Sequence, residues 1–389
     1  MDIYDIIIIG AGAAGLSAAG AAVSRGKKIL ILEMADTAAR KVAISGGGRC
    51  NITNSNVHFD RYFSQNPRFV QSAISKITPN DVLKWAKKHN LQPVEEKNPG
   101  RYFCISGANA VKSALLHEIE SAQILYNTTV INATKQNDTF NILTNNGLYH
   151  AKSLIIATGG ISFASVGVSD VGYKIATHFG HKITPIRPAL CSIATQYFPS
   201  DFSGISIPVE ISIGKNKIYD AMLFTYFGIS GPATYRASLY SVNDGIYINL
   251  LPNIDIKDIL INTKQTAGRK TLTGIISEYL PIRIAKWITD NDTRRIADIR
   301  NDDITLIADK IHRIFITHKN IKYHSMKTAE VVLGGVSTED ISSKTMESKL
   351  CKNLFFVGEV LDIAGDLGGF NLHWAWASGI TAGKYALAE

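Results

Sequence analysis

The sequence predicts an α/β fold with a buried parallel sheet, and three features near the N-terminus carry that expectation. Ile6 to Ile9 form an apolar run without alternation, which suits a strand covered on both faces. The glycine-rich turn Gly10-Ala11-Gly12-Ala13-Ala14-Gly15 follows and opens the helix-like stretch LSAAGAAVSRG. A second apolar run, Ile29 to Leu32, ends in Glu33, about 20 residues beyond the first glycine. Together these make a Rossmann-type strand, helix, strand unit with an acid at the end of its second strand.

Each part has a task in holding a dinucleotide. Gly10 turns the chain, Gly12 lets the backbone approach a pyrophosphate at the helix start with Ala13 and Ala14, and Gly15 lets helix and strand pack closely. Glu33, with Met34 beside it, is placed to accept hydrogen bonds from ribose hydroxyls. Glycines at this spacing also recur by chance, so the flanking strand, helix and acid give the motif its weight.

The rest of the chain bounds the class. With 389 residues, 46% of them hydrophobic, it is long enough for two or more cores. No apolar run reaches the roughly 18 residues of a membrane span, and the N-terminus lacks the basic leader of a secretion signal, so a soluble, cytoplasmic protein is expected. Cys50, Cys104, Cys191 and Cys351 stand singly, which gives no metal-ligand pair and no disulfide framework. The net charge of +8 is spread along the chain and mixed with acids, as on a solvated basic surface.

Late in the chain the same strand and helix character returns. Leu354 to Val357 read as a buried strand, Gly358-Glu359 as a turn, and a helix opens near Phe370 to Leu372 with a small-residue stripe (Ala375, Ala377, Gly379, Ala382) suited to packing on a sheet. Ser153 to Gly160 (SLIIATGG) is another buried strand, ending in Thr158, Gly159 and Gly160. A ligand domain built from distant segments follows, with the middle of the chain inserted. Between them, alternating runs such as ISIPVEISIG suggest strands, and residues 255–313 are charged and helical in period. The expected division is 1–190 with 344–389 for the ligand domain, 191–254 with 314–343 for an inserted β domain, and 255–313 for a helical subdomain.

The stretch KVAISGGGRCNITN is the least ordinary in the chain. Its glycines do not end in the Gly-Lys-Ser/Thr of a triphosphate loop, so they form either a tight surface turn or a bare backbone against another ligand. With the N-terminal fingerprint, the ATGG strand end, LFTYFGISGPA, AEVVLGGV and GEVLDIAGDLGGFNLHWAWASG, it resembles the bacterial FAD-binding family of aminoacetone oxidase and BaiN-like oxidoreductases, over essentially the full chain.

The resemblance implies a glutathione-reductase-like fold, non-covalent FAD and flavoprotein oxidoreductase activity. It places Gly46, Gly47, Gly48 and Asn51 under the flavin ring, Arg40 and Lys41 toward the adenosine and phosphate end, and Val130 at the adenine. It also places Gly369, Phe370, Asn371 and Leu372 at the pyrimidine edge of the flavin, and Gly358-Glu359 near the ribityl or phosphate region. A helix start at that edge favours flavin reduction by roughly 0.3–2 kcal/mol. Plainer alternatives stand beside these: a solvated basic pair, a core valine and an exposed acid.

Departures from the family pattern withhold the acid–base residues. Tyr226 stands where histidine is common, His373 where glutamine is common, and GVSDVG replaces GSTGDG. Packing or hydrogen bonding is the favoured role for Tyr226 and His373, and a buried structural thiol for Cys50. The expected reaction passes a hydride between a small organic substrate and the flavin, with reoxidation by oxygen or another acceptor. Without a second fingerprint, any NAD(P)H would enter the open cleft directly as a transient donor. A nucleic-acid partner is not expected, although a flavin-dependent tRNA-modifying protein, with Arg61 to Phe69 as its contact, remains a rival to an amphipathic lid. A non-catalytic FAD holder is the other rival.

Overall fold

The computed structural model describes residues 3–96, 100–163 and 167–388. They divide into two compact units, one of 1–188 with 326–389 and one of 189–325.

In the discontinuous unit the first strand, Ile3–Ile9, lies between Ile29–Leu32 and Gly147–Ile156, parallel to both. The two-sided burial expected from its isoleucines is met, since Ile6, Ile7 and Ile8 are fully buried. Gln123–Leu125 extends the parallel part beyond Ile29–Leu32. Gly147–Ile156 joins the halves of the chain. Its first residues pair antiparallel with Thr139–Thr144, and its last residues, Leu154 to Ile156, pair in parallel with Leu354–Phe356. Among the described residues this sheet has seven strands, with Val130–Gln136 at one edge.

The helix after the glycine turn, Ala13–Val23, is apolar and small nearly all round because it is covered on two sides. Gly15 faces the sheet. The opposite face meets the C-terminal helix, Phe370–Tyr385, so closely that a Cβ on Gly379 would stand 2.3 Å from the Ala14 carbonyl oxygen and one on Gly383 2.2 Å from that of Ala18. The small-residue stripe therefore packs on another helix, where the sequence suggested a sheet. Glycines four apart, one per turn, bring the axes within reach of backbone contact.

The inserted unit holds an antiparallel sheet in the order Ile314–Ile316, Ile246–Asn249, Ser206–Ile213, Asn216–Thr225, Gly228–Ser230, Ile193–Ala194 and Lys322–Tyr323. Its inward residues, among them Ile211, Ile248 and Ile314, share one apolar cluster with Leu260, Ile284 and Ile304 of the helical segment. The alternation of ISIPVEISIG is the alternation of a half-covered strand.

The return from the insertion lies at 326, earlier than the expected 344. Residues 331–347 are tied to the discontinuous unit by backbone bonds: Thr184 N–H to Gly335 O at 2.8 Å, Val336 N–H to Val360 O at 2.8 Å, and Ser337 N–H to Lys182 O at 2.9 Å. Such long-range bonds leave no periodicity in the sequence. None of the described helices is long and apolar enough to cross a membrane.

Candidate cofactor site

The glycine turn is shaped by its own neighbours. Gly10 has φ +104°, and a Cβ there would strike the Ala157 carbonyl oxygen at 2.5 Å; one on Gly15 would lie 2.0 Å from the Gly10 oxygen. At Gly12, the N-cap of the Ala13–Val23 helix, nothing stands within 4 Å of the Cβ position. No side chain caps this helix and no acid occupies its first turn, so the N–H groups of its first residues face an open space. Glu33 turns its carboxylate to the same turn, accepting from Ala11 N–H at 2.7 Å and from Ala35 N–H at 2.8 Å. These features fit a dinucleotide: a cradle closed to side chains, an anion-ready helix start and a carboxylate at the second strand's end.

A second corner is a polar knot. Lys41 Nζ reaches Ser162 Oγ and Glu359 Oε2, both at 3.0 Å, while Glu359 Oε1 accepts from Ser162 Oγ at 3.2 Å and from Val332 N–H at 3.0 Å. Gly160 belongs here, since a Cβ on it would meet Val332 and Glu359. Gly159, at φ +73°, opens onto free space, and Thr158 presents its hydroxyl to Gly172. Gly358 is gripped by the C-terminal helix: its N–H donates to Ser378 Oγ at 3.0 Å and its oxygen accepts from Trp374 Nε1 at 3.1 Å. Lys41 and Glu359 thus bind each other. Arg40 opens the short helix before the three glycines, one residue from that pair.

The three glycines follow in a tight turn with φ +58°, +65° and +84° at Gly46, Gly47 and Gly48. Three successive left-handed residues explain why no other residue type stands there. A Cβ on Gly46 would touch the Phe103 ring at 2.8 Å, whereas Gly47 and Gly48 have free space around them. Asn51, with its amide oxygen turned toward Gly369, accepts from Gly369 N–H at 3.2 Å and donates to Tyr102 O and Thr53 O. It couples the loop to the start of the C-terminal helix, where left-handed Gly369 (φ +95°) leaves the first N–H groups uncapped.

A sequence profile for the HI0933-like protein Rossmann domain matches residues 4–385. The chain belongs to that family. Relatives named ribosomal RNA dihydrouridine synthase are 38% identical over 387 residues in Haemophilus influenzae (96% of this chain and 96% of the relative) and 33% identical over 390 residues in Escherichia coli (97% and 96%). A 3-dehydro-bile acid delta(4,6)-reductase from Clostridium scindens is 26% identical over 406 residues, 97% of this chain and 98% of the relative. The chain is a flavoprotein oxidoreductase.

Other predicted residues of this HI0933-like chain have structural employment. Phe370 is buried, and Asn371 spends its amide on Gly365, accepting from its N–H at 2.7 Å and donating to its oxygen at 2.9 Å. Leu372 is half-buried, Val130 is buried in its strand opposite Thr144, and Met34 is exposed. His373 is wholly buried, with Nε2 3.0 Å from Ile77 O and Nδ1 2.8 Å from Thr53 Oγ1. A carbonyl can only accept, so Nε2 carries the proton and Nδ1 accepts from Thr53. Burial drives its pKa down to about 4, so it stays neutral as a strut. Tyr226, in the inserted unit, is 78% exposed.

Cys50 does have a neighbouring cysteine. Cys104 N–H donates to Cys50 O at 3.2 Å, a proximity hidden by 53 intervening residues. Burial pushes the Cys50 thiol up to about 12 and that of Cys104 to about 11, so both are protonated and poor nucleophiles.

The Arg61 to Phe69 segment is bound into the fold. Arg61 pairs with buried Asp366 at 2.7 Å and lies over the Phe370 ring, Tyr62 donates to Phe370 O at 3.2 Å, and Phe69 packs edge-on against Trp374. These contacts are those of a brace on the helix start. Asp366 and Ser162 were missed by sequence reasoning; only the density of acids and glycines in GEVLDIAGDLGG hinted at Asp366.

Proposed function

We propose that this protein is an FAD-dependent reductase that saturates the C5–C6 bond of a uridine in ribosomal RNA. The observation that carries the reading is the full-length similarity to two ribosomal RNA dihydrouridine synthases, at 38% and 33% identity. It gives RNA the place that sequence reasoning had given to a small molecule, and the +8 charge suits a polyanion. The bile-acid reductase supports the same bond chemistry. A uridine C5–C6 bond and a ring alkene beside a 3-keto group are both carbon–carbon double bonds conjugated to a carbonyl.

FAD would lie non-covalently across the discontinuous unit. The Ala13–Val23 helix start and Gly12 would take the pyrophosphate, Glu33 the adenosine ribose, and Val130 the adenine surroundings. The Lys41–Glu359 knot with Arg40 and the Thr158–Gly160 turn would border the middle of the cofactor, Gly358 holding the turn beneath. Gly46 to Gly48 would bring bare N–H groups to the ring, and the helix start at Gly369 to Leu372 would face its pyrimidine edge, where negative charge grows on reduction. When bound, the flavin supplies a reversible two-electron carrier. A soluble NAD(P)H recharges it in this reading, and an RNA substrate implies a cytoplasmic setting.

The test incubates the FAD-loaded protein and NADPH with unmodified ribosomal RNA, then maps nucleosides two hydrogens heavier than uridine by mass spectrometry. Dihydrouridine at a discrete site supports the proposal. Reduction of steroid or cyclic enones with no change in the RNA would replace it by the small-molecule reading.

A further inference from the structure

Two turns in the helical part of the inserted unit, far apart in sequence, are zipped together by their backbones. Thr271 forms an antiparallel bridge with Arg295. Around that bridge Ile296 N–H donates to Lys270 O at 2.8 Å, Ala297 N–H to Gly268 O at 3.2 Å and Leu272 N–H to Arg294 O at 3.3 Å. Side chains brace each turn further. Thr271 Oγ1 accepts from Gly274 N–H at 3.1 Å at the start of the helix Leu272–Ser277, Asp292 accepts from Arg294 N–H at 2.8 Å, and Thr273 Oγ1 donates to Asp292 O at 2.7 Å. Arg269, Lys270, Arg294 and Arg295, all exposed, are thereby gathered on one framework that is set before any ligand arrives.

The acids nearby are engaged by other cations. Lys270 pairs with Glu278 at 2.9 Å, Arg294 with Asp292 at 2.6 Å, Arg300 with Asp303 at 3.1 Å and Lys310 with Asp290 at 3.2 Å. Residues 264–303 hold eight Lys or Arg against six Asp or Glu, so positive charge is left over. Arg269 and Arg295 enter no ion pair among the described residues and carry part of that excess. Tyr279, which follows the Glu278 partner of Lys270, is 37% exposed, so a flat ring stands beside the charges.

We propose that Arg269 and Arg295 form a fork that grips the phosphate backbone of the RNA substrate, with Tyr279 stacking on a neighbouring base. This rests on the reading of RNA as the substrate and gives that RNA a docking surface in the inserted unit. A guanidinium is planar, weakly hydrated and able to donate two parallel hydrogen bonds to one phosphate, which suits it to this task better than a lysine. Turns already fixed by backbone bonds lose little freedom when the ligand arrives. Phosphate contacts set the register of the strand without reading its sequence, and an aromatic ring stacks on any base. A merely solvated pair of arginines would add to the overall charge and to nothing local, which is the difference the experiment measures.

The test titrates the FAD-loaded full chain with a fluorescent oligouridylate about 10 residues long at several salt concentrations. In Arg269→Gln/Arg295→Gln the slope of log affinity against log salt should flatten by about 1.4, at about 0.7 per phosphate on a single strand. Lys174→Gln/Lys182→Gln removes the same charge elsewhere and should keep the parental slope. Tyr279→Ala should weaken binding roughly 5-fold or more with the slope unchanged, and Tyr279→Phe should restore it. On ribosomal RNA the arginine variant should raise KM and leave kcat alone, while NADPH reduces its flavin at the parental rate. A parent that forms no dihydrouridine sinks the RNA reading, and the oligouridylate titration still decides the fork. A parental slope in the arginine variant, or an equal flattening in the lysine control, would overturn the fork even if dihydrouridine is formed. Loss of binding to anionic lipid vesicles in the arginine variant, with RNA affinity intact, would also overturn it by giving the surface to a membrane.

Discussion

Acid sensitivity traceable to His373 gives a direct measure of how the C-terminal helix is built into the cofactor domain. In the unfolded chain a histidine takes up a proton as the pH falls through about 6.5, while folded His373 resists until about 4 because it is buried between Ile77 O and Thr53 Oγ1. Protons therefore favour the unfolded chain. The stability in question is whole above about pH 6.5, declines as the pH falls, and is exhausted near pH 4. With these two values, linkage gives a loss of about 2 kcal/mol between about pH 7 and pH 5. Other groups titrate in the same range, so the quantity to measure is the difference between parent and His373→Gln, whose amide can still donate to Ile77 and accept from Thr53. Urea unfolding followed by tryptophan fluorescence at the two pH values, with equal FAD, should show the variant losing about 2 kcal/mol less than the parent. Parallel losses would refute the reasoning, since they would mean that His373 is not held neutral. A bell-shaped turnover profile that disappears in the variant would also do so, by making the residue a proton carrier.

Two further outcomes probe the cofactor cradle. Gly47→Val, at φ +65° with free space around its Cβ, should cost about 1–2 kcal/mol of stability from left-handed strain alone. Gly47→Asn, which tolerates that conformation, should keep the stability, and both should lose flavin affinity by fluorescence titration; parental affinity in both would show that the turn does not meet the ring. Glu33→Ala should weaken FAD by about 1.5–3 kcal/mol, the usual worth of a hydrogen bond to a charged group. Glu33→Gln should recover the hold on one of the two backbone N–H groups and only part of the affinity, and equal affinities in all three proteins would reduce Glu33 to a brace of the turn.

The sequence by itself determined the parts of this protein that rest on contacts close along the chain. The isoleucine run, the turn from Gly10 to Gly15 and the acid at Glu33 specify the first strand, helix and strand because period, glycine placement and strand length act over a few residues. The family motifs added the flavin reading, and alternation disclosed the inserted sheet. What only the tertiary structure decided depends on groups brought together from far apart. The sequence favours packing or hydrogen bonding for His373 but cannot name its partners, Ile77 and Thr53, and Cys50 reads as solitary until Cys104 appears beside it. The segment from Arg61 reads equally as a lid or as an RNA contact, and only the structure shows the ion pair of Arg61 with Asp366, while Gly379 and Gly383 meet a helix whose own small residues made room for them.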